Sequence, residues 1–438
     1  MEESSTCPVE CEPLVGEVET FLQELLTEMA AEPLVHTQGR PKVLPGFCLW
    51  VGMLVCVLRG YRSQHALWRL LSKRGLWHFP RFSVGDQAIY KRLAEGGTAP
   101  LEAIFDTLTQ ILQVRLAPFS TRLAPFASGV YALDSSTLDA VGRYLPALRE
   151  VGSKEHGLLP GRLFALFDVR LQQWRRVIHG ADPDEHETNT AMAIVQNLPP
   201  ESLILADLGY YGFAWFDYLT DHDYYWVSRC KAHATYEVRH VFYEQGETLD
   251  ALVWLGVHHQ NQAAHAVRLV QFRVGATLYR YLTNVLDPKV LPMREVAALY
   301  ARRWDIEMAF RTVKQHLGLR LLWSSKPVVV LIQVWAVLTI SQVLWALRQE
   351  IAGRAGVEVE TVSLPLMIEY LPQAAADGLD PVEWFLEVGW SAGFLRPSKR
   401  TIYKAPDIPR KAIRPLPKTL VLTREPHYGY RKNRFKAS

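Results

Sequence analysis

The sequence predicts an α/β protein in which helical regions flank a core that contains β-strands. Apolar residues follow helical spacing through most of residues 1–125 and again from residue 289 onward. Within residues 126–228, three strand-like runs, a helix-like run and a fourth strand-like run follow one another. Apolar and polar residues then alternate through residues 229–288, which is typical of strands.

These patterns divide the chain into five segments. They are a helical N-terminal domain (1–125), the first part of an α/β core (126–228), a β-rich insertion (229–288), the second part of the core (289–348) and a C-terminal helical region with a basic tail (349–438).

The N-terminal domain contains a candidate helix pair. Residues 62–74 and 84–93 are joined by a short loop, and Ser83 and Asp86 are candidate caps of the second helix. One interpretation is a helix-turn-helix-like unit; the other is a helical bundle with a charged surface. In the first interpretation the residues that face DNA are Gln87, Tyr90, Lys91 and Arg92.

Two acidic residues follow predicted strands of the core. Asp134 comes directly after the first strand, Gly129–Leu133, and Asp207 comes after the fourth, Leu203–Ala206. The intervening elements are predicted at Arg162–Val169 (strand), Trp174–His179 (strand) and Asp184–Leu198 (helix).

A charged helix is predicted at Tyr300–Leu317. Each helical residue advances about 100°, which places the apolar residues on one stripe and the charged residues on the opposite face. The apolar stripe is Ile306, Phe310, Val313 and Leu317, and the polar face is Tyr300, Arg303, Glu307, Arg311 and Lys314. From the residues alone, this face is either a salt-bridged surface or a site. Pro292 is the predicted first-turn residue and Gly318 the predicted terminator.

The spacing of four residues on that face favours a site. Tyr300, Arg303, Glu307 and Lys314 match the Tyr-Arg-Glu-Lys signature in residue type and in separation, and Trp304 and Ile306 fit its usual surroundings. On these residues the chain resembles the DDE transposases of bacterial insertion sequences, in the cut-and-paste YREK group that is insertion-sequence-four-like. The resemblance implies an RNase H-like catalytic core with an Asp-Asp-Glu triad and two divalent ions, Mg²⁺ or Mn²⁺.

The resemblance assigns the triad to Asp134, Asp207 and Glu307. In this assignment Asp134 would bridge both ions, Asp207 would complete one site and Glu307 would complete the other. Carboxylates suit this role because magnesium prefers oxygen ligands. Asp139 is an alternative to Asp134, although it would lie in a loop. A denser acidic cluster is interpreted as negative charge at the N-terminus of the predicted helix, where it is favourable; it comprises Asp182, Asp184, Glu185 and Glu187. Leu208 stands where the family commonly has a basic residue.

The resemblance also implies contacts with the DNA end. Tyr300, Arg303 and Lys314 are predicted to contact phosphates, with Arg311 as a weaker addition. In related enzymes the excised DNA end passes through a hairpin intermediate, in which one base is flipped out and stacks on an aromatic ring. The candidates for stacking are Trp254, Tyr279 and Trp304, although a β insertion with buried aromatic residues explains the first two equally well. Arg229 and Lys231 are candidates to line the same groove.

Charge and cysteine content restrict the class of protein further. Residues 1–39 carry nine Glu and no Lys or Arg, whereas residues 396–438 carry thirteen Lys and Arg against two acidic residues. Such a basic tail indicates a polyanion partner, with a solvated tail as the alternative. The five cysteines form no paired framework, which indicates reduced thiols in a cytoplasm. Cys7 and Cys11 have no second pair or nearby His to complete a zinc site, and the acidic start is not that of a signal peptide. The twenty-one uncharged residues between Lys326 and Arg348 are interpreted as a buried helix, not a membrane span.

The sequence therefore predicts a cut-and-paste DNA transposase whose partners are terminal inverted repeats, target DNA and a second copy of the chain in the synaptic complex. Two alternatives stay open: a metal-dependent nuclease without strand transfer, and a non-catalytic DNA-binding regulator descended from a transposase.

Overall fold

The structure is a computed structural model that describes residues 22, 23, 26, 43–77, 79–138, 161–181, 187–257, 261–319, 322–324, 326–376, 379–397 and 405–428. Most of the predicted N-terminal acidic helix, Asp139 and the acidic residues 182–186 lie outside these ranges, as do Cys7 and Cys11.

The helices and strands are numbered in chain order. The helices are α1 (Gly46–Leu58), α2 (Gln64–Arg69, continued by a π-helical turn, Leu70–Arg74), α3 (Asp86–Gly96), α4 (Ala99–Leu116), α5 (Glu187–Val195), α6 (Phe213–Asp221), α7 (Met293–Arg302), α8 (Trp304–Gln315), α9 (Pro327–Ala355), α10 (Leu364–Ala376) and α11 (Pro381–Val388). The strands are β1 (Val130–Thr137), β2 (Arg162–Asp168), β3 (Gln173–Gly180), β4 (Leu203–Ala206), β5 (Tyr225–Arg229), β6 (Tyr236–Gln245), β7 (Thr248–Leu255), β8 (Val267–Val274) and β9 (Thr277–Thr283). Short 3₁₀ turns lie at Ala117–Phe119, Leu208–Tyr210, Val359–Thr361 and Arg410–Ala412.

The described residues form two compact units. The helical unit takes its residues from Met1–Phe119, Asp139–Leu159 and Arg311–Ser398. The sheet unit takes its residues from Ser120–Leu138, Pro160–Phe310 and Lys399–Ser438. This division differs from the five predicted segments, because the N-terminal helices share a unit with α9 to α11 and the basic tail shares one with the sheet.

The sheet unit is built on one nine-stranded mixed sheet in the order β3-β2-β1-β4-β5-β9-β8-β7-β6. β1, β4 and β5 are parallel neighbours, and the other pairings are antiparallel. The predicted order of three strands, a helix and a fourth strand is confirmed. The β-rich insertion extends the same sheet, since β9 pairs with β5.

The main core of the sheet unit lies where α5 and α6 cover the sheet. Leu133 of β1 and Ala206 of β4 are buried in this core together with Ile194 of α5 and Trp215 of α6. Alternate residues of a strand point to opposite faces. The residues that follow Leu133 and Ala206 therefore point to the other face, away from α5 and α6.

The helical unit is organised around α9, which packs most extensively on α4 and α1. By length and composition α9 could cross a membrane, but 89% of its most apolar 18-residue window is buried inside the protein. Its buried polar side chains have partners: Gln342 donates to Thr109 Oγ1 at 2.5 Å, and Thr339 donates to the Trp335 carbonyl at 2.8 Å. These contacts agree with the interpretation of a core helix.

Three local predictions are wrong. β1 does not end before Asp134 but continues to Thr137, because its last residues pair with β2. The predicted helix Tyr300–Leu317 is two helices, with Arg303 between α7 and α8. Ser83 does not cap α3; the N-cap is Gly85, and the Asp86 carboxylate accepts from the N–H of Gln87.

Candidate active site

Asp134 and Asp207 lie on neighbouring parallel strands at adjacent positions. Leu133 of β1 is paired with Ala206 of β4, so the two aspartates are the next residues along each strand. Neighbouring strands are about 4.8 Å apart, and both side chains point away from the α5–α6 core. Each carboxylate is oriented by a backbone N–H: Asp134 accepts from Ser135 and Asp207 accepts from Gly209, both at 2.8 Å.

Glu307 is connected to Asp134 through Arg303. The Arg303 guanidinium is 7% exposed; its Nη2 lies 2.5 Å from Glu307 Oε1 and its Nη1 lies 3.6 Å from Asp134 Oδ2. α7, which ends just before Arg303, packs on β4 and β5. The break between α7 and α8 thus directs a buried cation at both acids.

The three carboxylates influence one another electrostatically. Burial raises the pKa of Asp134, the Ser135 N–H and Arg303 lower it, and the negative charges of Asp207 and Glu307 raise it; the net pKa is about 7.

The donor set has the chemistry that a divalent oxygen-seeking ion requires, namely three carboxylates in a partly buried, negatively charged site. In the described arrangement, however, no three His, Cys, Asp or Glu side chains of the described residues stand close enough together to hold one ion. Arg303 supplies the positive charge between Asp134 and Glu307. The structure brings Asp134 and Asp207 side by side and holds Glu307 on the far side of that guanidinium.

A second set of polar contacts fixes the α7–α8 break and was not anticipated from the sequence. Asp305 Oδ2 accepts from Arg302 Nε and from Gln172 Nε2, both at 2.9 Å. Gln172 is a buried residue of the β2–β3 turn with a φ of +54°. The only sequence signal was a second acid two positions before Glu307, and its partner lies 133 residues away.

Tyr300 and Trp304, on either side of Arg303, have different environments. Tyr300 is buried, with its ring 5.1 Å from that of Tyr281 on β9. Burial raises the pKa of its phenol, so the hydroxyl stays protonated. Trp304 is 55% exposed, with the Arg303 guanidinium 5.6 Å from its ring. Of the three aromatic candidates for stacking, Trp304 has the most accessible ring.

The other two stacking candidates lie in the insertion. Trp254 is 5% exposed, and the Arg424 guanidinium covers its ring at 4.6 Å. Tyr279 is half-buried and stacks on Phe272 at 5.7 Å. These placements do not favour Trp254 as a ring that receives a base.

Two predicted groove cations lie near the end of β5. Arg229 is exposed. Ser228 of β5 pairs with Ala206 of β4, so the residues that follow them, Arg229 and Asp207, lie side by side. Lys231 lies 4.8 Å from the ring of Tyr211. Arg229 is therefore the exposed cation that the strand register brings next to the aspartate pair.

The remaining predicted DNA contacts belong to the helical unit. Arg311 and Lys314 lie on the later turns of α8, where Arg311 donates to Gln315 at 3.0 Å. On α3, Gln87 is exposed, whereas Arg92 donates to the Leu44 carbonyl at 2.6 Å. Tyr90 bonds His65 at 3.0 Å, and Lys91 lies 3.8 Å from Glu95. The side chains of Arg92 and Tyr90 therefore already have hydrogen-bond partners within the helical unit.

Comparison with known proteins found a match for the core of the chain. Residues 125–342, which include both aspartates and Glu307, match the family model of the transposase DDE domain. No curated protein sequence matches the chain. Among solved structures it is similar to a piggyBac transposase in a synaptic complex with hairpin DNA, with 9% identity, a TM-score of 0.39, and coverage of 90% of this chain and 84% of that chain.

Proposed function

We propose that this protein is a cut-and-paste DNA transposase of the YREK group, which nicks transposon ends and joins the freed 3′-hydroxyl to target DNA. The observation that carries the proposal is the adjacent pair of Asp134 and Asp207 on two parallel strands, coupled through Arg303 to Glu307, inside the segment that matches the transposase DDE domain.

The roles of the acids follow from their positions. Asp134 and Asp207 present oxygens to the same side of the sheet, where they would hold divalent ions, Mg²⁺ or Mn²⁺, with Glu307 as the third ligand. When bound, such ions activate water and stabilise charge on the leaving oxygen.

Arg303 is proposed to exchange partners when DNA binds. Its guanidinium is a fork that suits carboxylate and phosphate equally well, and in the DNA-free protein it is held by Glu307 and Asp134. A DNA phosphate at the exposed edge beside Trp304 and Arg229 would compete for it. In this scheme Tyr300 and Lys314 contact the same DNA end, Trp304 stacks on a flipped base of a hairpin, and a homodimer holds two ends.

The test is cleavage and joining of duplexes taken from the DNA that flanks the coding region, with Mg²⁺ or Mn²⁺. Asp134→Asn, Asp207→Asn and Glu307→Gln are each expected to lower nicking by 10³-fold or more, about 4 kcal/mol of transition-state stabilisation. Glu244→Gln, at an exposed acid of β6, is the matched control and should nick like the wild type.

The products separate the proposal from its alternatives. Nicks and joined products that both depend on the three acids support a transposase. Nicks without joined products indicate a nuclease, and DNA binding without metal-dependent nicking indicates a non-catalytic regulator. Undiminished nicking by all three acid variants would overturn the assignment of the site.

A further inference from the structure

The basic tail is fixed to the sheet unit over residues 405–428, which we call the C-terminal strap. At its start Asp407 lies 3.7 Å from Arg294 of α7, and at its end the Tyr428 hydroxyl donates to Asp217 of α6 at 2.7 Å. Between them, His427 forms an isolated β-bridge with Gln262. The strap therefore runs from α7 across the insertion to α6.

One side of the strap is apolar and packs on the insertion. Its inward residues cover a small core that contains Phe242 and Trp254; they are Ile413, Leu416, Leu420 and Leu422. The backbone is tied as well, since the Arg414 N–H donates to the Phe242 carbonyl at 2.9 Å. Arg424 secures the end of this stretch by donating to the carbonyls of Ala263 and Gly256 at 2.9 and 3.0 Å.

The opposite side of the strap is positively charged. Its cations all lie exposed; they are Arg410, Lys411, Arg414 and Lys418. None of the four makes a side-chain hydrogen bond or ion pair with any residue that the structure describes. Asp407 is already paired with Arg294, so Glu425 is the remaining acid of the strap.

We propose that the C-terminal strap is a phosphate-binding track for duplex DNA, and this inference rests on the proposed function. The four cations lie within nine residues of a fixed segment, so their positive charges repel one another. A bound polyanion would neutralise this repulsion. The strap also belongs to the same compact unit as Asp134 and Asp207. A tail that only kept the protein soluble would need neither the apolar anchor nor the hydrogen bonds to the insertion.

The strap differs physically from a flexible basic tail. Pro409, Pro415 and Pro417 restrict its backbone, and the anchored leucines hold it in place before DNA arrives. A binding segment that is ordered in advance loses less conformational entropy on binding. Its cations should therefore contribute more affinity than the same charges on a free tail.

The first experiment measures the salt dependence of DNA binding by the full chain. Replacing the four cations (Arg410, Lys411, Arg414 and Lys418) by Gln should make the slope of log K against log salt shallower by about 3 to 4, since each phosphate contact contributes about 0.9. The control replaces four other exposed cations by Gln, with the same change in net charge; they are Arg115, Arg122, Lys289 and Lys326. The control should change the slope by less than one contact.

A second variant tests the anchoring. Leu416→Gln with Leu420→Gln keeps all four cations but loosens the strap, and DNA affinity at fixed salt should fall about tenfold, 1.4 kcal/mol.

An unchanged melting temperature of the variant in which the four cations are replaced by Gln would show that its effect on DNA binding is not loss of folding.

The outcomes distinguish the two proposals. If the wild type does not bind DNA, the proposed function fails and the strap proposal fails with it. If the wild type binds with a steep salt slope and the strap variant has the same slope, the strap proposal alone is overturned. If the slope falls but the loosened variant binds as tightly as the wild type, the cations act as a free tail and the fixed track is wrong.

Discussion

Arg303 is the residue whose role depends most on its surroundings. It is buried between Asp134 and Glu307, and it approaches the rings of Tyr300 and Trp304 at 5.8 and 5.6 Å. A buried charge pair is costly to break when one partner is left behind. Arg303 therefore stabilises Asp134 and Glu307, whose negative charges would otherwise repel one another.

The first prediction concerns this cation. Arg303→Met should lower the melting temperature in the absence of divalent ions, because Asp134 and Glu307 lose their counter-ion. Mg²⁺ should then raise the melting temperature of the variant by more than that of the wild type, since an ion that binds the folded state stabilises it.

Thermal unfolding with EDTA and with Mg²⁺ measures both values. Arg311→Met, at an exposed cation of α8, is the control and should respond to Mg²⁺ like the wild type. An equal rise in melting temperature with Mg²⁺ in Arg303→Met and in the wild type would contradict the idea that the Arg303 guanidinium supplies the positive charge that a divalent ion would otherwise supply.

The second prediction concerns pH and Asp168 at the end of β2. Burial raises the pKa of Asp168 to about 6 from 3.8, although the N–H groups of Leu171 and Arg170 donate to it at 2.9 Å and lower it. The folded state thus binds a proton more tightly than the unfolded state. This contribution to stability is present below about pH 4 and is lost as pH rises through 6.

Asp168→Asn keeps an acceptor oxygen without the charge. The free energy of unfolding of the wild type, relative to this variant, should fall by about 3 kcal/mol between pH 4 and pH 7, at 1.36 kcal/mol per pKa unit. Urea titrations across this range give the difference. A constant difference would show that the carboxyl group has the same pKa in both states.

At the scale of elements, the insertion is held to the core by a buried ion pair. Arg268 of β8 donates from Nε and Nη2 to both oxygens of Asp250 on β7, at 2.7 and 2.6 Å, and from Nη1 to the Leu291 carbonyl at 2.6 Å. Both side chains are almost fully buried. This fork ties two insertion strands to the segment that leads into α7.

The third prediction is a double-mutant cycle on that pair. Asp250→Ala should destabilise the fold by about 3 to 5 kcal/mol, because it leaves a buried guanidinium without its partner. Asp250→Ala combined with Arg268→Met should cost less than the two single changes added together. Urea unfolding of the four proteins gives the coupling energy, and simple additivity would mean that the pair does not act as a unit.

Local sequence signals were sufficient for some elements and insufficient for others. β4 has the predicted bounds, because its four apolar residues are buried on both faces. The break at Arg303 was not predictable from spacing, since its φ of −56° and ψ of −30° are helical and the apolar stripe continues through it. The extension of β1 past Asp134 depends on pairing with β2, a partner that local propensity does not reveal.

For the whole molecule, the sequence predicted the neighbouring positions of Asp134 and Asp207 but not the way the chain is assembled into two units. Asp134 and Asp207 do meet at one edge of β1 and β4, as the strand order implied. The division into units joins segments that are distant in sequence, and the strap returns to the insertion through residues such as Arg424. Such contacts arise from packing between remote segments, so no window of sequence contains them.

The continuous sheet has a mechanical consequence. β7, which contributes Leu252 and Trp254 to the core beneath the strap, is joined by backbone ladders through β8, β9 and β5 to β4, and Asp207 directly follows β4. A displacement of the strap would therefore reach Asp207 through hydrogen-bonded backbone and not through a flexible linker.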